Sequence, residues 1–289
     1  MYIELINEIF ESAPLGFVSA TNRLVDYIDS IDNLLELIQQ IGTIPESIDH
    51  DSTEEKLFAK ASDAVLSRAF RELGLRSTVI AERADAADVI ATSPIFGYTL
   101  VADAKAFRMS RTAKNQKDFK VTALSGWRKD SDYAVLCSPY FQYPRARSQI
   151  YEQATTHNVA LLSWEHLAFL LKHNIKESEE LSLAPIWNFC ENYSHSVVVA
   201  ESKRCFIPEY SDFIVNQIGC NYGDFSTLIE CQIEIIKARG GIECGYWEQQ
   251  KAEILSFTRE KAISELIKSR KIDEKIVQIE SYIRGLRNA

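Results

Sequence analysis

No run of apolar residues in this 289-residue chain approaches the roughly 20 needed to cross a bilayer. The N-terminal stretch Met1-Tyr-Ile-Glu-Leu-Ile-Asn-Glu8 also lacks the basic-then-apolar layout of a signal peptide. A cytoplasmic protein with no membrane partner is expected. Paired cysteines are missing as well. Cys137, Cys190, Cys205, Cys220, Cys231 and Cys244 are widely spread, with no Cys-x-x-Cys and no paired histidine nearby, so neither a zinc site nor a disulfide framework is indicated. Glycine (11) and proline (7) are scarce, and no internal repeat or low-complexity linker breaks the chain. What remains, at 46% hydrophobic and 25% charged, is long enough to bury a full core.

An excess of positive charge is lacking too: the net charge is −9, which at first sight speaks against a nucleic-acid partner. The distribution reverses that reading. Between Lys105 and Lys120 stand six cations (Lys105, Arg108, Arg111, Lys114, Lys117 and Lys120) and one acid, Asp118. A focused basic segment on an acidic body is a phosphate-binding signature. The cations recur every third residue, so neither a helix nor a strand lays them all on one side. Arg111-Thr-Ala-Lys114-Asn115-Gln-Lys117-Asp118 also mixes donors and acceptors suited to base edges: Asn for adenine, Lys and Arg for guanine, Asp for cytosine. Arg108, Arg111, Lys114, Asn115, Lys117, Asp118 and Lys120 are the candidate DNA-binding residues, with Arg108 and Lys120 expected on phosphates.

Directly before this segment, the apolar run Tyr98-Thr-Leu-Val-Ala102 ends in Asp103-Ala104-Lys105, and Asp88 opens a second strand-like stretch, Asp88-Val-Ile-Ala-Thr92. Alternation along a strand points Asp103 and Lys105 the same way. Ser93-Pro94-Ile95-Phe96-Gly97 carries turn chemistry, and a hairpin folded about Ile95 and Phe96 sets Asp88 opposite Asp103. Two carboxylates that close repel unless one is protonated or a cation lies between them. An acid, any residue, then lysine occurs five times, beginning at Glu54, Asp103, Asp118, Glu201 and Asp273. Only the Asp103 instance ends an apolar strand with a second acid heading the partner strand. The economical reading is a divalent-metal site that hydrolyses phosphodiesters.

Upstream, residues 1–50 read as helical, and a long helix is predicted from Ser52 to Leu73, opened by the capping box Ser52-Thr-Glu-Glu55 and stopped by Gly74. At about 100° per residue, Leu57, Phe58, Ala61, Ala64, Val65 and Ala69 form one stripe. Glu54 falls inside it and Glu55 at its edge, so Glu54 is either a candidate ligand for a second metal ion or a first-turn acid that favours the helix dipole and reaches water. Downstream, Tyr133–Cys137 and Val159–Ser163 are predicted strands, each followed by a helix, and residues from about 209 onward are helical, with Gly240-Gly241 as a break. The expected fold is α/β: a mixed sheet flanked by helices. It forms one domain over 1–289, with a helical part at 1–50, a catalytic and recognition core at 51–175 and a helical part at 205–289.

The set Asp88…Asp103-Ala104-Lys105 resembles the PD-(D/E)xK nucleases, although Ala87 stands where that pattern has proline. Longer stretches resemble the HindIII restriction endonuclease family: Ser52-Thr-Glu-Glu-Lys-Leu-Phe-Ala-Lys60, Leu100 through Val121, Asp132-Tyr-Ala-Val-Leu136, Phe141-Gln-Tyr-Pro144, Ser163-Trp-Glu-His-Leu167 and Pro185-Ile-Trp-Asn-Phe189. The resemblance is dense from about 22 to 190 and thinner beyond, where Tyr246-Trp247 and Phe257-Thr-Arg-Glu260 still match. It implies a restriction-endonuclease-like core and a type II enzyme that acts as a homodimer on double-stranded palindromic DNA. It further implies cutting at AAGCTT after the first adenine, four-base 5′ overhangs, and a companion adenine methyltransferase. Residues and resemblance together assign catalysis to Asp88, Asp103 and Lys105, with Mg²⁺ (Mn²⁺ substituting) expected on Asp88, Asp103 and the Ala104 carbonyl and Glu54 as the candidate for a second ion. Residues and spacing alone reach metal-dependent phosphodiester cleavage. A related nuclease of repair or junction processing, or a non-catalytic DNA-binding relative, stands as the alternative.

Overall fold

The hydrophobic spacing of the first fifty residues folds as three helices: α1 (Tyr2–Ser12), α2 (Phe17–Ser30) and α3 (Leu34–Ile41). Their apolar stripes, among them Leu5, Ile9, Leu24, Ile28, Leu37 and Ile41, are fully buried. The structure, a computed structural model, describes residues 2–80, 86–111, 116–144, 148–196 and 199–286. Helix α4 (Thr53–Glu72) follows, with the Ser52 hydroxyl accepting from the Glu55 amide at 3.0 Å. The reciprocal half of the cap lands one residue early, since Glu55 accepts from the Asp51 amide at 2.8 Å. From Leu57 to Phe70, α4 is buried almost all round, because it packs on α1, α2 and α3 as well as on the sheet.

The sheet has five strands in sequence order: β1 (Arg76–Val79), β2 (Val89–Thr92), β3 (Thr99–Ala104), β4 (Tyr133–Ser138) and β5 (Val159–Ser163). The first three pair antiparallel and the last two join β3 in parallel, so the sheet is mixed as expected. Nearly every residue of β3, β4 and β5 is buried, as strands covered on both faces must be. The turn between β2 and β3 is the predicted one. Ser93 and Tyr98 close it, the Ser93 hydroxyl accepts from the amides of Ile95 and Phe96, and Gly97 takes the φ of +74° that a side chain would oppose.

Between β3 and β4 lie α5 (Gln116–Phe119) and α6 (Val121–Arg128). Helix α7 (Gln149–His157) precedes β5 and α8 (Trp164–Lys172) follows it. The chain continues through α9 (Ala184–Trp187), α10 (Phe189–Ser196), α11 (Val199–Gln217) and α12 (Tyr222–Leu255) to α13 (Arg259–Ser269) and α14 (Ile272–Leu286). Two compact units result, Met1–Gly240 and Gly241–Ala289. Gly240-Gly241, expected to break the helix, leaves α12 continuous. The pair instead marks the boundary between the units. Among the described residues, no helix is long and apolar enough to cross a membrane.

Candidate active site

The register of β2 on β3 pairs Val89 with Ala102, so Asp88, one residue before β2, stands opposite Asp103. The third carboxylate comes from across the core. Asp63 projects from α4, and the oxygens of Asp63, Asp88 and Asp103 all lie within 4.8 Å of one another. Asp63 and Asp103 are buried, whereas the Asp88 side chain is a third exposed. The Ala104 amide, at the end of β3, donates to Asp63 at 3.4 Å.

Two lysines face the acids. Lys105 Nζ donates to Asp103, and Lys60 Nζ donates to Asp88 while lying 3.4 Å from Asp63, its i+3 neighbour on α4. The backbone of Lys105 is fixed on both sides, its amide donating to the Cys137 carbonyl at 2.7 Å and its carbonyl accepting from Trp164 Nε1 at 3.1 Å.

The electrostatics follow from burial. Desolvation, with the Asp88 and Asp103 charges added, holds the Asp63 carboxyl well above the usual carboxylate range. Burial also raises Asp103, against the pull of Lys105. Desolvation works to lower the Lys60 pKa, but Asp63 and Asp88 outweigh it and the ammonium is held charged. The three carboxyls crowd one point with two lysines beside them, and burial together with mutual repulsion works against ionising all three unless a further cation joins them. The donors are all hard carboxylate oxygens at chelating separation, so the site fits a divalent cation of the Mg²⁺ type.

This geometry suits metal-dependent phosphodiester chemistry, and sequence comparison gives the family of the chain. A model of the HindIII restriction endonuclease family matches residues 6–283. The chain belongs to the HindIII restriction endonuclease family. It is 44% identical over 274 residues to the type II restriction enzyme HindIII of Haemophilus influenzae, covering 94% of this chain and 91% of that enzyme. As a HindIII-family member it is a type II restriction endonuclease, with DNA as the substrate class and divalent-metal chemistry.

Within this HindIII-family site, Asp88, Asp103, Ala104 and Lys105 are brought together, while Glu54 is not. Glu54 precedes Asp63 by nine residues, which on a helix is about half a turn of rotation and about 13 Å along the axis. The helix acid in the cluster is Asp63. A one-stripe wheel passed over it because α4 is buried all round. Its signal in the sequence is that Asp63 is the sole acid between Leu57 and Phe70, in a run otherwise dominated by small and apolar residues. Lys60, also passed over, shares its face.

The basic segment divides. Arg108, expected on phosphates, is only 3% exposed, and its guanidinium donates to the Pro45 carbonyl and to Glu55, each at 2.7 Å. It is an internal strut, because the chain after Lys105 docks on the α3–α4 loop: the Phe107 amide donates to the Gly42 carbonyl, and Ser110 donates to Glu46. Arg111 pairs with Asp118 and sits over the Phe107 ring at 5.9 Å. Lys117 and Lys120 are exposed, and Lys120 lies close enough to Asp103 to lower its pKa. Lys114 and Asn115 lie outside the described residues.

Proposed function

We propose that this HindIII-family endonuclease cuts double-stranded DNA at the palindrome AAGCTT after the first adenine of each strand, leaving 5′-phosphate ends with four-base 5′ overhangs. The convergence of Asp63, Asp88 and Asp103 with Lys105 at the end of β3 carries the chemical part of this reading. Mg²⁺, with Mn²⁺ able to substitute, is the assigned cofactor. Asp88, Asp103 and the Ala104 carbonyl are its assigned ligands, with Asp63 in the role first assigned to Glu54. When bound, the ion supplies Lewis-acid polarisation of the phosphate and charge neutralisation.

The chain's own groups do the rest. Lys105 Nζ, held beside Asp103, orients the attacking water and offsets charge as the oxygen–phosphorus bond forms. In-line attack breaks the bond to the 3′ oxygen, which leaves with a proton, and the phosphate stays on the 5′ end. Lys60 keeps Asp88 and Asp63 aimed at the same point. Arg111, Lys114, Asn115, Lys117, Asp118 and Lys120 supply DNA contacts, with Arg108 supporting them from inside. Cutting both strands of a palindrome calls for a two-fold homodimer, each copy on one half-site. In a cytoplasm that holds such an enzyme, a companion adenine methyltransferase protects the host's own sites.

The test is digestion of a plasmid of known sequence with Mg²⁺, followed by mapping of the ends. Ends after the first adenine of AAGCTT on both strands are expected. Ends scattered over unrelated sequence, or none with Mg²⁺ or Mn²⁺, would overturn the reading.

A further inference from the structure

In the second unit, α14 places Ile272, Ile276, Ile279 and Ile283 at successive steps of four, three and four residues. That spacing is the a/d seam of a heptad repeat, which runs along one side of an α-helix. All four side chains are exposed, from 39% to 59%. Helix α13 adds Ile263, Leu266 and Ile267, also exposed. Arg270 and Lys271 join the two helices, and Ile263, Ile267 and Ile272 line one groove between them. Apolar surface this continuous, rimmed by charge, marks an interaction site.

We propose that this face pairs with the same face of a second copy of the chain, the α14 seams lying parallel about a two-fold axis. The inference rests on the palindrome-cutting function proposed above and gives its dimer a location. Charge selects both occupant and direction. With Ile276 and Ile283 at a and Ile272 and Ile279 at d, Lys275 falls at g, and Asp273 and Glu280 fall at e. In a parallel pair, a g side chain meets the partner's e side chain of the following heptad, so Lys275 meets Glu280, twice by symmetry. Antiparallel pairing instead sets Asp273 against Glu280 and Lys275 against its own kind. Lys275 and Glu280 are both exposed, free to reach across. Isoleucine at both a and d favours a core wider than two helices. Helix α13 of each copy, with its own three aliphatic side chains, makes the assembly one of four helices.

Sedimentation of the full chain at micromolar concentration tests this. The parent is expected at twice 32.8 kDa, and Ile276→Glu with Ile279→Glu at the monomer mass with unchanged circular dichroism. Lys275→Glu and Glu280→Lys should each weaken the dimer about tenfold, and the two together should restore it. A destabilised fold would not show that rescue. A monomeric parent, a dimer indifferent to the isoleucine pair, or charge variants without mutual rescue would overturn the proposal. End mapping on the parent keeps the two readings apart. A monomeric parent that cuts AAGCTT sinks the interface alone, and a rescued dimer that cuts elsewhere sinks the sequence assignment alone.

Discussion

Lys60 on α4 bonds to Asp88 at the head of β2, so a single side chain ties the helix that carries Asp63 to the hairpin that carries Asp103. The site is thereby built from a helix and a hairpin, with Lys60 set between Asp63 and Asp88 and Lys105 beside Asp103.

Asp88→Asn, Asp103→Asn and Lys105→Ala should each lower Mg²⁺-dependent cleavage by about a thousandfold or more, the loss of several kcal/mol of transition-state stabilisation. Glu54→Gln should cut at the parent rate, since Glu54 stands on the far side of α4 from Asp63. Single-turnover cleavage of a short duplex measures both. A Glu54→Gln variant as impaired as Asp103→Asn would return Glu54 to the site.

Removal of metal should lower the melting temperature, because Asp63, Asp88 and Asp103 then face one another with only two lysines between them. At a hundredfold excess of Mg²⁺ over its dissociation constant the stabilisation is about 2.7 kcal/mol. Asp63→Asn should shrink the difference between melts in chelator and in Mg²⁺. A difference as large as the parent's would remove Asp63 from the ligand set.

Arg108→Ala should cost about 1–3 kcal/mol of stability, since it strips a charged partner from the partly exposed Glu55 and a donor from the Pro45 carbonyl. Lys120→Gln should change stability by less than about 0.5 kcal/mol, yet reduce the salt slope of DNA binding by about 0.9. Urea melts and binding isotherms at several salt concentrations separate the two. If Arg108→Ala reduced the salt slope and left stability untouched, the internal role would be refuted.

His166 is wholly buried, with the Ser163 amide donating to Nδ1 at 3.1 Å and Ser211 at 2.9 Å from Nε2. Burial pulls its pKa from 6.5 to about 3. Below pH 6.5 the unfolded chain takes a proton that the native chain refuses, so His166 makes stability fall as pH drops toward 3. Glu165, raised by burial to about 7, acts in the other direction: above 4.5 the unfolded chain loses a proton the native chain keeps, so stability falls as pH rises toward 7. The two slopes oppose each other between about pH 4.5 and 6.5. Replacing His166 with Gln should therefore raise stability at pH 5 relative to pH 7 by about 2 kcal/mol more than in the parent. Urea midpoints at the two pH values measure this, and equal differences in parent and variant would disprove the assignment.

The sequence by itself determined what local rules control. Strand alternation and the Ser93–Gly97 turn set Asp88 against Asp103 and aligned Lys105 with Asp103, because pleat and turn geometry act over a few residues. The same holds for the Ser52 half of the cap and for β4, α7, β5 and α8, whereas β1, α5 and α6 are additions the local patterns did not announce. Tertiary structure decided the rest. Whether an acid on α4 reaches the site depends on which side of the helix meets the sheet, and a helix enclosed on all sides has no single apolar stripe to reveal it; hence Asp63 instead of Glu54. Whether a cation in the basic segment faces DNA or the interior depends on where the chain after Lys105 docks. The Pro45 carbonyl and Glu55, more than fifty residues away in sequence, claimed Arg108, and no local pattern registers a partner at that distance.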